Sequence, residues 1–165
     1  ALVYRDRSNQ EVRDISIARY TNGKGWGPSE NLSQDGWEIN GCPVNGPAIS
    51  TSGKNTAVAW FSAPKDSPYV KVKLSADGAK TFGPAVRVDG GNPIGRVDVL
   101  SGPDGGAMVT WMEQTGQGAQ VRMRKIQPNG TMGAPLTLSE TSAARSSGCT
   151  TLSIPNCASN SAAMT

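Results

Sequence analysis

Histidine is missing from this chain altogether. Its absence removes Ser-His-Asp and Cys-His catalysis, and with them most zinc chemistry, from what these 165 residues can do alone. Cysteine is nearly as scarce, at Cys42, Cys149 and Cys157. Cys149 and Cys157 could bridge in an oxidising compartment and leave Cys42 single; equally, all three could stay thiols, with Cys42 packed as a small hydrophobe. A reactive Cys42 would need a base, and none is near it in sequence. Long apolar runs are absent too: no stretch approaches the ~18 residues of a membrane span. No basic, apolar leader opens the chain, so any signal peptide lies outside these residues. Nor does one sign of charge dominate. Sixteen Lys and Arg stand against thirteen Asp and Glu, spread along the chain, a pattern that does not suggest nucleic-acid or lipid-surface binding.

What the chain has instead is Gly (20) and Pro (11), the composition of short strands and many turns. These fall into a phrase repeated three times: an aromatic-tipped apolar strand, a second strand, a Gly turn, and a short strand entered through Gly and Pro. The first copy runs Ala1-Leu-Val-Tyr4, Ile15 to Tyr20, Asn22-Gly23, then Gly27-Pro28 before Glu30-Asn-Leu32. The second runs Ala57-Val-Ala-Trp60, Val70 to Leu74, Asp77-Gly78, then Gly83-Pro84 before Val86-Arg-Val88. The third runs Met108-Val-Thr-Trp111, Val121 to Lys125, Asn129-Gly130, then Gly133-Ala-Pro135 before Leu136-Thr-Leu138. The turns stand 55 and 52 residues apart (22 to 77, 77 to 129). A period near 50 built from several short strands is the mark of a β-propeller or a related array, one small sheet per repeat.

The alternation within strands agrees. Val70, Val72 and Leu74 share one face and Lys71 and Lys73 the other; Val121 and Met123 alternate with Arg122 and Arg124. The Asn-Gly and Asp-Gly pairs predict two-residue hairpins. Innermost strands are expected at Ala48–Thr51 and Arg96–Leu100, and the rings of Tyr4, Trp60 and Trp111 are expected to pack between adjacent sheets, with ligand stacking as the other use. The fold class that follows is all-β: a segment of about three four-stranded antiparallel blades, at about 1–35, 46–90 and 95–140. Propellers close with 4 to 8 blades, and the first repeat opens at its second strand. The chain therefore reads as part of a longer protein, or as a unit that closes its ring as a homodimer. Residues 141–165, Ser- and Ala-rich and without alternation, read as the start of a further blade or a poorly packed tail.

The segment Ser75-Ala-Asp-Gly-Ala-Lys-Thr-Phe82 resembles the Asp box of sialidase-type propellers, Ser-x-Asp-x-Gly-x-Thr followed by Trp or Phe. Ser75, Asp77, Thr81 and Phe82 match; Gly78 falls one place early and Ala79 stands at the usual Gly. The carboxylate of such a box accepts turn N–H groups, the hydroxyls lock the loop and the ring packs beneath it. Asn22-Gly23 with Trp26, and Asn129-Gly130 with Met132, look like degenerate copies. Together with Arg5-Asp-Arg-Ser8, Glu11 to Ile15, Gly36-Trp-Glu-Ile39, Gly41 to Pro47 and Gly95-Arg-Val-Asp98, the box makes residues 1 to 148 similar to bacterial Asp-box proteins of the exo-α-sialidase-like kind. The resemblance implies a secreted or periplasmic protein acting on a glycan, with no cofactor and no metal. Sialidases hold the substrate carboxylate with three arginines, attack with a Tyr assisted by Glu, and use an Asp acid/base; their N-terminal Arg-Ile-Pro motif is absent here.

In a propeller the site lies over the axis, at the loops leading into innermost strands. Arg96 and Arg145 fall at such lead-ins, 49 residues apart (96 to 145), and Arg5 and Arg7 lie on a connection between second and third strands. These four arginines are the expected substrate clamps, offering planar donor forks to a carboxylate. Asp6, Asp98 and Glu113 are the acid/base candidates. The charges around Arg5, Asp6, Arg7, Arg13 and Asp14 have a second reading, a solvated salt-bridge network. The Gly41 to Pro47 segment reads as an inter-blade turn shaped by Asn45 and Gly46. A non-catalytic propeller that holds a glycan or a protein partner is the rival to the hydrolase, and a chain without activity of its own is the third reading.

Overall fold

The computed structural model describes residues 1–41, 43–116 and 118–141. The readings made at Cys42, Arg145, Cys149 and Cys157, and of the tail beyond 141, lie outside the described residues. Within them the fold is all-β, with four antiparallel sheets and one short 3-10 turn at Pro64–Asp66. No helix there is long and apolar enough to cross a membrane.

The first sheet joins β1 (Leu2–Arg5), β2 (Ile15–Ala18) and β5 (Glu30–Asn31); β3 (Tyr20–Thr21) and β4 (Gly25–Trp26) form a separate ribbon. The second sheet runs in order through β6 (Ala48–Ser52), β7 (Asn55–Ser62), β8 (Tyr69–Ser75) and β9 (Val86–Arg87). The third does the same through β10 (Pro93–Ser101), β11 (Ala107–Gln114), β12 (Ala119–Ile126) and β13 (Leu136–Thr141). Each full repeat is thus a four-stranded meander in which sequence neighbours pair, and the first repeat gives three strands. No closed ring of sheets is present among the described residues.

Two local expectations are corrected. The strand read as Ile15 to Tyr20 breaks at Arg19, which leaves the sheet and sends its Nε to the carbonyl of Ala79, 2.6 Å away. The Gly turns are not two-residue hairpins. Gln127 to Gly130 closes a four-residue turn, Gly130 N–H donating to Gln127 O at 2.9 Å, with Gly130 at φ +84° where a side chain would be strained. Asp77-Gly78 lies inside a longer loop, because the Asp77 carboxylate gathers the N–H groups that a tight hairpin would have paired.

The second sheet is the middle layer. On β7, Val58 and Trp60 point into one core with Ile15, Ile17, Leu32 and Ala79, shared with the first sheet. Ala57, Ala59 and Phe61 point into the other, with Val70, Val72, Val99, Val109 and Trp111, shared with the third. Every residue from Thr56 to Ser62 is buried, so β7 carries no polar face at all. Trp60 and Trp111 pack between sheets as expected. Tyr4 does not: it lies on the outward side of the first sheet, its hydroxyl 2.7 Å from Ser29 Oγ. Burying a Val or Phe side chain is worth ~1.5–3 kcal/mol, so these two seams are the main hold between the sheets.

Candidate functional site

At the end of the second sheet where β7 turns into β8, two loops and the start of β10 enclose a cleft of about 430 Å³. The segment between β5 and β6 supplies Trp37, Ile39, Pro43, Val44 and Asn45; the β7–β8 turn supplies Ala63, Lys65, Asp66 and Pro68; β10 supplies Pro93 and Ile94. Phe61 and Trp37 meet edge to face beside it, centroids 5.6 Å apart at 80°.

Arg5 holds this floor together. Its guanidinium lies 4.8 Å from the Trp37 ring centroid. It donates to the carbonyls of Asn45 (3.0 Å) and Phe61, both in the cleft lining, and to that of Arg13 (2.6 Å) in the connection between β1 and β2. Burial draws its pKa down to about 10, against the pull of Asp35 and Asp14, and it remains a cation at neutral pH. Asn45 works from the other side: its Oδ1 accepts the backbone N–H of Arg96 (3.1 Å) and its Nδ2 donates to Ile94 O (3.4 Å). A Cβ on Gly95 would collide with that amide, so glycine is required for the approach.

Backbone strain collects here. Among the described residues, five that are not glycine take left-handed φ angles: Glu11, Lys65, Asp66, Ala79 and Arg96. Lys65 and Asp66 line the cleft, Arg96 is clasped by Asn45, and Glu11 accepts the N–H of Ile39 in the cleft wall. Each such residue costs on the order of 1–3 kcal/mol and persists only where its surroundings enforce it, a pattern concentrated at binding sites.

Behind the floor lies a carboxylate pair in contrasting settings. Asp14 Oδ1 accepts the N–H groups of Asp35 and Gly36, both at 3.0 Å. Burial raises the Asp14 carboxyl above its usual range despite those bonds. Asp35 is the reverse. Burial penalises its charge, but hydrogen bonds from Lys71 and Trp60 outweigh the penalty and hold it below the usual range. Lys71 Nζ lies 2.8 Å and Trp60 Nε1 2.6 Å away, and the Asp35 side chain is only 4% exposed. The Tyr69 phenol is pushed well above its ordinary value, by burial first and then by Asp35. With both oxygens engaged and no opening to solvent, Asp35 fixes the loop; it is not placed to exchange a proton with a ligand.

The segment of residues 75–82 sits at the opposite end of the second sheet, since β7 starts beside it and ends at the cleft. Asp77 accepts Lys80 N–H (2.9 Å), Thr81 N–H (3.0 Å) and Thr81 Oγ1–H (2.7 Å), and Ser75 Oγ–H donates to it at 2.8 Å. Those bonds, the Thr81 N–H first, hold its carboxyl far below the usual range. Gly78 N–H ties the loop to Lys54 O, and Phe82 packs against the core shared with the first sheet.

The sequence candidates are placed in four different settings. Arg5 and Arg96 meet around Asn45, Arg5 through its guanidinium and Arg96 through its backbone. Asp6 accepts Arg7 N–H and Ser16 Oγ–H, and Arg7 pairs with Glu11; both line a polar depression of about 280 Å³ on the outward side of the first sheet. Asp98 accepts the N–H of Val99, on the third sheet. Glu113 is buried between the second and third sheets, accepting Trp111 Nε1–H (2.9 Å) and Gln120 Nε2–H (3.4 Å). Trp37, Phe61, Lys65, Asp66 and Asp35 were missed. Their one sequence signal is a tryptophan and a proline-flanked charged pair in loops, where neither is needed to pack a strand. Compared with known proteins, the chain matches no family model, no curated protein and no solved structure.

Proposed function

We propose that this chain is part of a sialidase-like Asp-box β-propeller and that its cleft binds a glycan. The observation that carries the reading is the convergence of strained, charged residues on an aromatic-floored cleft at the loop end of meander sheets. Lys65, Asp66, Glu38 and Asn45 offer polar partners at its wall, and the apolar floor suits the face of a sugar ring. The Asp-box geometry at the far end supports the same family reading. Binding is favoured over hydrolysis by this chain alone, because Asp6, Asp98 and Glu113 stand apart from the cleft and Arg5 is engaged with backbone carbonyls. Hydrolysis would draw its acid, base and nucleophile from further blades. A peptide ligand is the second reading, favoured by Pro43, Pro68 and Pro93 in the lining.

The test is titration of the chain with 3′-sialyllactose and with lactose, followed by tryptophan fluorescence through Trp37. The expected result is saturable binding of the sialylated sugar, weakened about tenfold by Lys65→Ala, the loss of one charged contact. No response to either sugar at concentrations up to about 10 mM, weaker than any useful affinity, would refute the reading. Turnover of a fluorogenic sialoside by the isolated chain would overturn the preference for binding.

A further inference from the structure

An asparagine side chain is most open to attack by the next backbone nitrogen when the next residue is glycine, which has no side chain to block the approach. The chain has four Asn-Gly pairs, beginning at Asn22, Asn40, Asn45 and Asn129. At Asn129 the attacking nitrogen is committed, since Gly130 N–H donates to Gln127 O at 2.9 Å. Asn22 and Asn40 are exposed. Asn45 differs from all three in tying two walls of the cleft together. Gly46 lies in irregular chain and is exposed, its N–H has no partner among the described residues, and open space surrounds its Cα. Arg96 N–H donates to Asn45 Oδ1 at 3.1 Å, the atom on which charge grows when the side-chain carbonyl is attacked. The leaving nitrogen, Nδ2, has only a longer bond to Ile94 O, at 3.4 Å.

We propose that Asn45 is a self-modification site, converting to aspartate and isoaspartate, and that the conversion unfastens β10 from the cleft. The Gly46 nitrogen forms a bond to Asn45 Cγ, its proton passes to the departing Nδ2, and ammonia leaves. Water then opens the cyclic imide at either of its two carbonyls. Aspartate at this position keeps an acceptor for Arg96 N–H but turns a second oxygen on the Ile94 carbonyl, where a donor stood. Isoaspartate moves one carbon from the side chain into the backbone and draws the oxygen back from Arg96. The Arg96 amide lies outside the ladder of β10 with β11, whose register slips between Gly95 and Asp98, so Asn45 is what holds it. Once released, Arg96 relaxes from its left-handed φ of 54°. The cleft wall at Pro93 and Ile94 moves with it, whatever the cleft binds.

Incubation of the folded 165-residue chain in mildly alkaline buffer tests this, with peptide mapping by mass spectrometry at each asparagine and hydrogen exchange at the Arg96 amide. The expected result is aspartate and isoaspartate at position 45, formed at a rate comparable to that at exposed Asn22. Exchange of the Arg96 amide should rise in step, by at least about twofold, the least that one hydrogen bond supplies. Gly46→Ala adds a methyl into open space at an ordinary φ, so the fold is kept while the approach to Cγ is hindered. That variant should suppress both changes and leave conversion at Asn22 as it was. Conversion at Asn45 slower than at Asn22 by more than about tenfold, the barrier that one hydrogen bond holding the side chain back would add, overturns the proposal. So does conversion with Arg96 exchange unchanged, which would separate the chemistry from the cleft wall. Conversion that Gly46→Ala fails to slow counts against attack by the Gly46 nitrogen.

Discussion

Replacing Asp35 by Ala probes the contact on which the cleft's supporting loop depends. The carboxylate accepts the indole N–H of Trp60, a fully buried ring, and an ammonium proton from Lys71. Without it the indole N–H stays buried and unpaired, at ~1–3 kcal/mol. Lys71, whose side chain is 27% exposed, can turn to water, so its lost ion pair adds no more than ~1 kcal/mol. The expected destabilisation is about 1–4 kcal/mol, which at a mid-range urea m-value of ~2 kcal/mol/M moves the unfolding midpoint down by about 0.5–2 M. Urea titration of parent and variant, read by tryptophan fluorescence and far-ultraviolet dichroism together, measures it. Asp35→Asn, which keeps one acceptor oxygen, should lose about half as much. Its pH profile gives an independent check. A carboxylate held below its unfolded value stabilises the fold fully above about pH 4 and loses that contribution as pH falls through the folded value. The parent should therefore lose stability more steeply than Asp35→Asn below pH 4. A midpoint shift under about 0.3 M for Asp35→Ala, worth less than ~1 kcal/mol at that slope, would refute the reasoning and leave the Trp60–Asp35 bond without energetic weight.

Two further outcomes are expected. Asp14 has the opposite sign: its folded value lies above its unfolded one, so its contribution is present at low pH and lost as pH rises through the folded value. Asp14→Asn keeps an oxygen for the Asp35 and Gly36 N–H groups, and calorimetry at pH 7 should show no loss of stability, with a flatter pH dependence than the parent above about pH 4. Ala79→Gly relieves a left-handed residue at φ +65° (~1–2 kcal/mol) but removes a buried methyl (~0.8 kcal/mol) and loosens the unfolded chain (~0.4–1 kcal/mol). The melting temperature should move by no more than about 2–4 °C, the equivalent of ~1 kcal/mol, and a large gain would mean that the Ala79 methyl contributes nothing to the core.

The fold was readable where side-chain periodicity reports burial. Val70 and Val72 against Lys71 and Lys73 marked β8, and Ala48–Thr51 marked β6 within one residue. β7 was found by its aromatic tip and not by alternation, since a strand covered on both sides shows none. Turn lengths were misread because Asp77 replaces a backbone pairing by side-chain bonds, which a dipeptide rule does not see. The site was harder still. Arg5 was singled out as a clamp, yet its partners are carbonyls 8, 40 and 56 residues away, groups that every residue carries and no motif advertises. Lys65 and Asp66 owe their place to backbone angles that their identity does not encode.

The three bonds of Arg5 make the cleft a joint property of the first and second sheets, although its walls belong mostly to the loops after them. If the first sheet lifts away, Arg5 leaves with β1, and the carbonyls of Asn45 and Phe61 lose the group that holds them in place. Opening of that seam and loss of the cleft are then one event. Whatever fills the cleft clamps the first sheet to the second, by ~2.7 kcal/mol at a hundredfold excess over Kd. Occupancy of a site at one end of the molecule would thus be felt along a seam that the ligand never touches.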